Sequence, residues 1–173
     1  MNVRSVILGG ALVLVGCRGT GAVAHESASG PMAPRFREAD ARTAIEHALD
    51  DFHDAAAHAD EARYFAHFAP GGVFLGTDAT ERWDLDAFKA YAHPHFAAGK
   101  AWSFRAVERH IAFASGGDVA WFDERLETAR LGPARGSGVL VRQGADWKIA
   151  QYNLSIPIPN ERFDEVKKVI ERR

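Results

Sequence analysis

The feature that most constrains the fold is a succession of strand-like segments that fills the second half of the chain. These segments cover residues 102–114, 119–128, 139–143 and 147–154, and turn signals rich in glycine separate them. The connections are short, which favours antiparallel pairing of neighbouring strands. The first half of the chain has helical periodicity instead. Helices gathered before a run of strands predict an α+β domain in which the helices pack on one face of an antiparallel sheet.

Two helices are predicted at the start of this domain. The first begins near Glu38, and its apolar face contains Ile45, Leu49 and Phe52 at helical spacing. The second is shorter and covers residues 62–69. Both contribute apolar side chains that a sheet can cover.

Turn and cap signals place the remaining elements. Pro-Gly-Gly at 70–72 ends the second helix, and residues 73–76 follow as a short strand. Asp84 can cap a third helix that extends to about residue 98. Asn160 can cap a C-terminal helix, which completes the domain.

Composition excludes several classes of function. The 173-residue chain has a net charge of -2, so it lacks the basic surface typical of nucleic-acid-binding proteins, and we expect no nucleic-acid partner. Its single cysteine, Cys17, excludes an internal disulfide and a cysteine-based zinc site. The histidines and acidic residues show no complete set of metal ligands. We therefore predict no metal and no cofactor.

The N-terminal segment predicts export and attachment to a membrane. An apolar run at 6–16 follows Arg4 and is too short to span a bilayer, which is typical of a secretory signal peptide. The sequence Leu-Val-Gly-Cys at 14–17 resembles the lipobox of bacterial lipoproteins. That resemblance implies cleavage before Cys17 and attachment of lipid to this residue.

The predicted organisation of the chain therefore has three parts. A signal peptide covers 1–16, the lipidated cysteine and a flexible tether cover 17–38, and a folded domain covers 39–173. The anchor implies a place on the periplasmic side of the bacterial cell envelope, and Arg18 after the cysteine favours the outer membrane. The alternative is an ordinary signal peptide cut after Ala24, which would give a soluble periplasmic protein.

Two sequences carry a family resemblance. VFLGTDATERWDLDAFKAY at 73–91 and GADWKIAQYNLSIPIP at 144–159 are similar to segments of SnoaL-like proteins in the nuclear transport factor 2-like superfamily, which includes ketosteroid isomerases and polyketide cyclases. The resemblance covers residues 39–160 and implies a cone, in which a curved antiparallel sheet wraps around the helices and leaves a pocket. The last strand of the family commonly carries two histidines, and Gln151 and Asn153 replace them here.

Two acidic residues lie at the centre of the strand predicted at 119–128. Side chains alternate along a strand, so Glu124 shares a face with Phe122 and Leu126, whereas Asp123 lies on the opposite face. If the apolar face is turned towards the helices, Glu124 is an acid inside the cone. Burial would then raise its pKa and suit it to proton transfer.

Other interpretations of this strand stay open. Glu124 can pair with an inward arginine such as Arg105, Arg109 or Arg135, which would make it part of a structural ion pair. A bulge in the strand would reverse the alternation and turn Asp123 inward in its place.

His53 lies at the margin of the apolar face of the first helix. A neutral imidazole at that position can act as a base or as a hydrogen-bond donor. The alternative is a histidine at the edge of the core whose hydrogen bonds are satisfied within the fold.

Four further residues are candidate ligand contacts. Gln151 and Asn153 share a face of the last strand, and their amides suit a carbonyl or hydroxyl ligand. Both can instead bind backbone groups at the mouth of the sheet. Trp83 and Arg135 complete the predicted pocket.

Three functions are compatible with this reasoning. The first is a cell-envelope lipoprotein that binds a small, partly apolar molecule in its pocket. The second is a cofactor-free enzyme with isomerase, cyclase or lyase chemistry, in which Glu124 or Asp123 is the base and His53 or Asn153 holds an oxyanion. The third is a structural module that forms a homodimer through the outer face of the sheet, anchored by Trp121.

Overall fold

Helices and strands follow one another in the predicted order. The computed structural model describes residues 36–172, so the predicted signal peptide and Cys17 lie outside the described residues. The helices of the described part are α1 (Glu38–Ala57), α2 (Glu61–Ala66), α3 (Leu85–Ala97) and α4 (Phe163–Ile170). The strands are β1 (Phe68–Leu75), β2 (Arg82–Asp84), β3 (Arg105–Phe113), β4 (Val119–Thr128), β5 (Gly132–Gln143) and β6 (Asp146–Ser155).

The six strands form one sheet in the order β2-β1-β6-β5-β4-β3. The last four strands in the chain make the predicted antiparallel succession, in which each strand pairs with the next. β1 pairs with β6 in a parallel arrangement, and β2 pairs antiparallel with β1 at the edge. The sheet is therefore mixed, because β1 and β6 run in the same direction whereas the other neighbouring strands are antiparallel.

Caps and apolar faces explain where the helices lie. The predicted cap of α3 is confirmed, since the Asp84 carboxylate accepts a hydrogen bond from the backbone N–H of Ala87 at 2.9 Å. The apolar face of α1, which includes Ile45, Leu49 and Phe52, is fully buried against the inner face of the sheet. Among residues 36–172, no helix is both long enough and apolar enough to cross a membrane.

The segment around Pro70 differs from the prediction. α2 ends at Ala66, and the proline and glycines at 70–72 lie inside β1 and do not stop a longer helix. Pairing with β6 shifts register between Phe68 and Val73, so this stretch makes no regular ladder contacts. The irregularity tolerates a residue without an N–H and a glycine with positive φ, Gly71 at 75°.

Residues 132–138 also differ from the prediction, since they form the first half of β5 where a loop was expected. Glycine in this stretch has a packing cause. A Cβ on Gly138 would overlap the backbone oxygen of Gln151 and would lie 2.9 Å from the ring of Phe122. Glycine therefore permits close approach between neighbouring strands at this point.

The C-terminal helix begins later than predicted. Asn160 starts a short 3-10 helix, and α4 follows from Phe163 without a side-chain cap. Phe163 and Ile170 share a face of α4 and are 60% and 55% exposed. That face is uncovered in the described part of the chain.

Candidate functional site

The alternation of β4 places Glu124 inside the fold, as predicted. Phe122, Glu124 and Leu126 are buried, whereas Trp121 and Asp123 are exposed on the outer face of the sheet. Pairing between β4 and β5 is continuous along the whole strand, so no bulge reverses the alternation. The alternative in which Asp123 points inward, and with it the catalytic role predicted for Asp123 there, is therefore wrong.

Glu124 is 1% exposed and is held by three side chains from three elements. Its Oε1 is 2.7 Å from Nε2 of His53 on α1 and accepts a hydrogen bond from the Tyr152 hydroxyl of β6 at 3.0 Å. Its Oε2 accepts a hydrogen bond from Nε of Arg109 on β3 at 2.8 Å. A carboxylate with this many partners is oriented rigidly.

Arg109 supplies the positive charge of this cluster. Its Nη1 donates to Asp50 Oδ1 at 2.9 Å and to the backbone oxygen of Glu46 at 3.3 Å, so it also joins β3 to α1. Arg109 is therefore the inward arginine that pairs with Glu124, as one of the interpretations predicted. Arg105 pairs instead with Glu127 near the protein surface.

The expected rise in the pKa of Glu124 is wrong. Burial does raise the pKa, but the hydrogen bond and charge of His53 and the charge and hydrogen bond of Arg109 together outweigh it, and the pKa of Glu124 is lowered. Glu124 is therefore a carboxylate at neutral pH. It can orient and stabilise a neighbouring group, but it is poorly suited to act as a general acid.

Tyr152 completes the cluster and was not predicted. Burial and the adjacent Glu124 carboxylate raise the pKa of the Tyr152 hydroxyl well above its usual value, so it stays protonated and donates to Glu124. Gly136 on β5 lies opposite Glu124 and leaves room for this contact. A Cβ there would overlap the Tyr152 hydroxyl and would lie 2.8 Å from Glu124 Oε1.

A cavity of about 810 Å³ lies beside the cluster. His53 and Tyr152 form part of its wall, whereas Glu124 lies behind them and does not line it. The wall is rich in aromatic side chains, which include Phe74, Trp83, Phe88, Tyr91, Trp102 and Phe104. The predicted contact residue Trp83 is therefore on the wall. Cavities of this size and composition are typical of small-molecule sites.

Three predicted ligand contacts lie away from the cavity. Gln151 and Asn153 do not line it, and the reason is a register shift in the pairing of β5 with β6, where Val139 pairs with Gln151 but Leu140 pairs with Ile149. The extra residue reverses the alternation, so Tyr152 takes the inward position. Arg135 is exposed and does not line the cavity either.

A second ionic cluster joins α1 to the α2–β1 segment outside this cavity. Asp51 is bound by Arg63 and by Nε2 of His67, which is 2.7 Å from Asp51 Oδ2. Burial lowers the pKa of His67 more than Asp51 raises it. None of these three residues lines the cavity. The cluster therefore bears on the stability of the fold.

Comparisons with known proteins agree with this geometry. The family model of the SnoaL-like domain matches residues 45–159. No curated protein gave a significant match.

Solved structures share the fold at low sequence identity. A nuclear transport factor 2-like protein of unknown function from Pseudomonas putida has a TM-score of 0.58 and 17% identity, over 73% of this chain and 92% of that one. A proposed scytalone dehydratase from Novosphingobium aromaticivorans has a TM-score of 0.59 and 14% identity, over 70% and 87%. A proposed ketosteroid isomerase from Shewanella frigidimarina has a TM-score of 0.51 and 19% identity, over 66% and 97%.

The order of elements, the single wrapped sheet and the aromatic cavity fit the fold that the resemblance implied. The family match covers more than half of the chain and coincides with the described domain. The chain belongs to the SnoaL-like domain family and has the α+β fold of nuclear transport factor 2-like proteins.

Proposed function

We propose that the domain binds a small, partly apolar molecule in the aromatic cavity. The observation that carries this proposal is the cavity itself, whose volume of about 810 Å³ suits a small molecule and whose wall exposes the rings of Trp83, Tyr91 and Trp102. Aromatic side chains left facing an open space in this way favour an apolar ligand.

A neutral planar probe tests this proposal. We expect 2-naphthamide to bind the protein in isothermal titration calorimetry, and we expect Ala101→Trp, which adds an indole to the cavity wall, to weaken that binding. Ala90→Trp is the matched control, because Ala90 is exposed on α3 and does not line the cavity. Equal binding by both variants, with equal melting temperatures, would contradict the proposal.

Acid–base catalysis is a second candidate function, and the His53–Glu124 pair favours it. Nε2 of His53 is bound to a buried carboxylate, which leaves Nδ1 as the ring nitrogen for a ligand in the cavity. A carboxylate that orients a histidine is a recurring arrangement in general base catalysis. Two of the similar folds are named as a proposed dehydratase and a proposed isomerase, so we carry enzymatic activity to this chain as a proposal.

Hydrogen exchange in a ketone tests this second candidate. We expect the protein to accelerate exchange of the α-protons of 2-tetralone for deuterium in D2O, measured by NMR, because His53 would remove a proton and return a deuteron. His53→Gln should abolish the acceleration, whereas Ala90→Trp should keep it. A rate that survives in His53→Gln would exclude His53 as the base.

We also propose that the protein is a lipoprotein of the bacterial cell envelope. The support is the Leu-Val-Gly-Cys sequence at 14–17 after an apolar run, and the glycine- and serine-rich stretch that follows it. Metabolic labelling with a palmitate analogue should mark the wild-type protein but not Cys17→Ser. Labelling of Cys17→Ser would contradict the anchor and would favour other attachment sites.

The outer face of the sheet supports a homodimer. Trp121 is 50% exposed there and lies beside Ala112 and Val139 on the neighbouring strands, which gives an apolar centre to the face. Sedimentation should show a dimer for the wild-type protein and a monomer for Trp121→Glu. Phe163→Glu is the control, because Phe163 is an exposed aromatic residue on α4. Dimers that resist Trp121→Glu would refute this interface.

A further inference from the structure

Five of the aromatic rings that line the cavity have similar orientations. The ring of Phe74 lies within 12° of parallel to Tyr152 and within 18° of Phe88. Trp83 lies within 11° of Phe88 and within 20° of Tyr91. These rings stack on one another, and a flat ring that extended the stack would gain more than a puckered or branched group of equal size.

Charges are confined to the exposed rim of the cavity. The charged residues that line it are three cations and two anions, namely Lys100, Arg105, Arg130, Glu81 and Glu127. Arg105 is paired with Glu127. The Glu81 carboxylate is turned back onto its own loop, where it accepts a hydrogen bond from the backbone N–H of Asp78 at 3.1 Å.

Two cations remain after these pairings. Within residues 36–172, Lys100 and Arg130 have no acidic partner, although both are exposed and line the cavity. They come from different segments, since Lys100 precedes β3 and Arg130 lies in the β4–β5 turn. Each segment also contributes a large apolar side chain to the wall, Trp102 in the first and Leu131 in the second. The rim therefore offers positive charge next to an apolar surface.

We infer that the ligand is a planar aromatic anion, of which an aromatic carboxylate is the simplest kind. Its ring would lie against the parallel side chains, and its carboxylate would be bound by Lys100 and Arg130. This inference rests on the proposed ligand-binding function and adds a charge and a shape to it. A guanidinium and an ammonium group from two sides suit a carboxylate, because each can donate to one of its oxygens.

Three probes separate charge from shape. 2-Naphthoate is planar and anionic, 2-naphthamide is planar and neutral, and octanoate is anionic but flexible. With the purified full chain in low-salt buffer at neutral pH, we expect calorimetry to show that 2-naphthoate binds about tenfold more tightly than 2-naphthamide, since two exposed ion pairs contribute modestly. Octanoate should bind more weakly than 2-naphthoate.

Variants test whether the cations of the rim cause the preference for an anionic ligand. The double variant Lys100→Ala/Arg130→Ala should bind 2-naphthoate about tenfold more weakly than the wild type and should bind 2-naphthamide equally well. Lys168→Ala, which removes an exposed cation of α4 that does not line the cavity, should change neither.

The outcomes distinguish this inference from the proposed function. If 2-naphthamide binds the wild-type protein as tightly as 2-naphthoate, or if the double variant keeps its preference for the anion, the inference of an anionic ligand is overturned and the ligand-binding function stands. Octanoate binding equal to that of 2-naphthoate would overturn the planar shape. If no probe binds, the proposed function itself fails.

Discussion

Gly136→Ala is expected to destabilise the protein through one contact. The Cβ of alanine would overlap the Tyr152 hydroxyl and would lie 2.8 Å from Glu124 Oε1 and 2.9 Å from Tyr152 Cζ. Ordinary contacts of this kind are about 3.5 Å, so the phenol must move by roughly 1 Å. That movement breaks the 3.0 Å hydrogen bond from Tyr152 to Glu124.

The change in the free energy of unfolding of Gly136→Ala combines two unfavourable contributions and one favourable contribution. Loss of a hydrogen bond to a buried charged group costs about 1.5–3 kcal/mol, and overpacking costs about 1–3 kcal/mol. Alanine in a strand regains about 0.5–1 kcal/mol relative to glycine, because the unfolded chain loses freedom. We therefore expect the free energy of unfolding of Gly136→Ala to fall by about 3 kcal/mol in urea titrations.

A double-mutant cycle with Tyr152→Phe isolates the contact. Removing the hydroxyl removes the main overlap, so Gly136→Ala should cost about 1–2 kcal/mol less in the Tyr152→Phe protein than in the wild type. Costs that add within about 0.5 kcal/mol would show that the hydroxyl is not what requires glycine at this position.

Two further predictions concern the ionic clusters. Glu124→Gln leaves Arg109 buried beside a neutral partner and should lower the free energy of unfolding by about 3 kcal/mol. Asp50→Asn, at the exposed end of the same cluster, should lower it by less than about 1 kcal/mol. Equal losses in the two variants would show that burial of the ion pair is unimportant. The pKa of His67 is lowered in the folded protein, so the unfolded chain takes up this proton first and stability should fall as the pH drops below about 6.5. His67→Asn should flatten that decline in thermal melts between pH 7 and pH 5, and an unchanged slope would assign the decline to other groups.

The long strands could be predicted because their side-chain pattern has a simple period. The alternation of β4 correctly separated Phe122 and Glu124 from Trp121 and Asp123, since pairing with β5 is regular along its length. The pKa of Glu124 could not be predicted in the same way. It depends on His53 and Arg109, which approach from elements 71 and 15 residues away in the chain. A short window of sequence does not contain that information.

The error on the last strand has a single physical cause. Alternation places Gln151 and Asn153 with Ile149, and only the register shift in the pairing with β5 moves them to the other face. A bulge of one residue leaves no signature in composition or hydrophobicity. For that reason Tyr152 was missed although it binds the predicted residue Glu124.

Glycine in residues 132–138 allowed two interpretations. The stretch was expected to separate two strands, but glycine within a strand also indicates close approach of the backbone, and Gly136 and Gly138 lie in β5 at points where another strand or a side chain approaches closely. An isolated glycine reports either a turn or a lack of space, and the sequence alone does not distinguish the two. At Gly136, the nearby Tyr152 side chain shows that lack of space requires glycine.

The parallel pairing of β1 with β6 has a consequence for how the polypeptide matures. Phe68 pairs with Ile149, so a nascent chain emerging from the ribosome holds its first long strand without a neighbour on that side until about 80 further residues have been made. During that interval the apolar side chains of β1 are open to aggregation or to chaperones. We expect chains truncated before Asp146 to be digested readily by protease, whereas chains that extend beyond Ser155 should resist digestion.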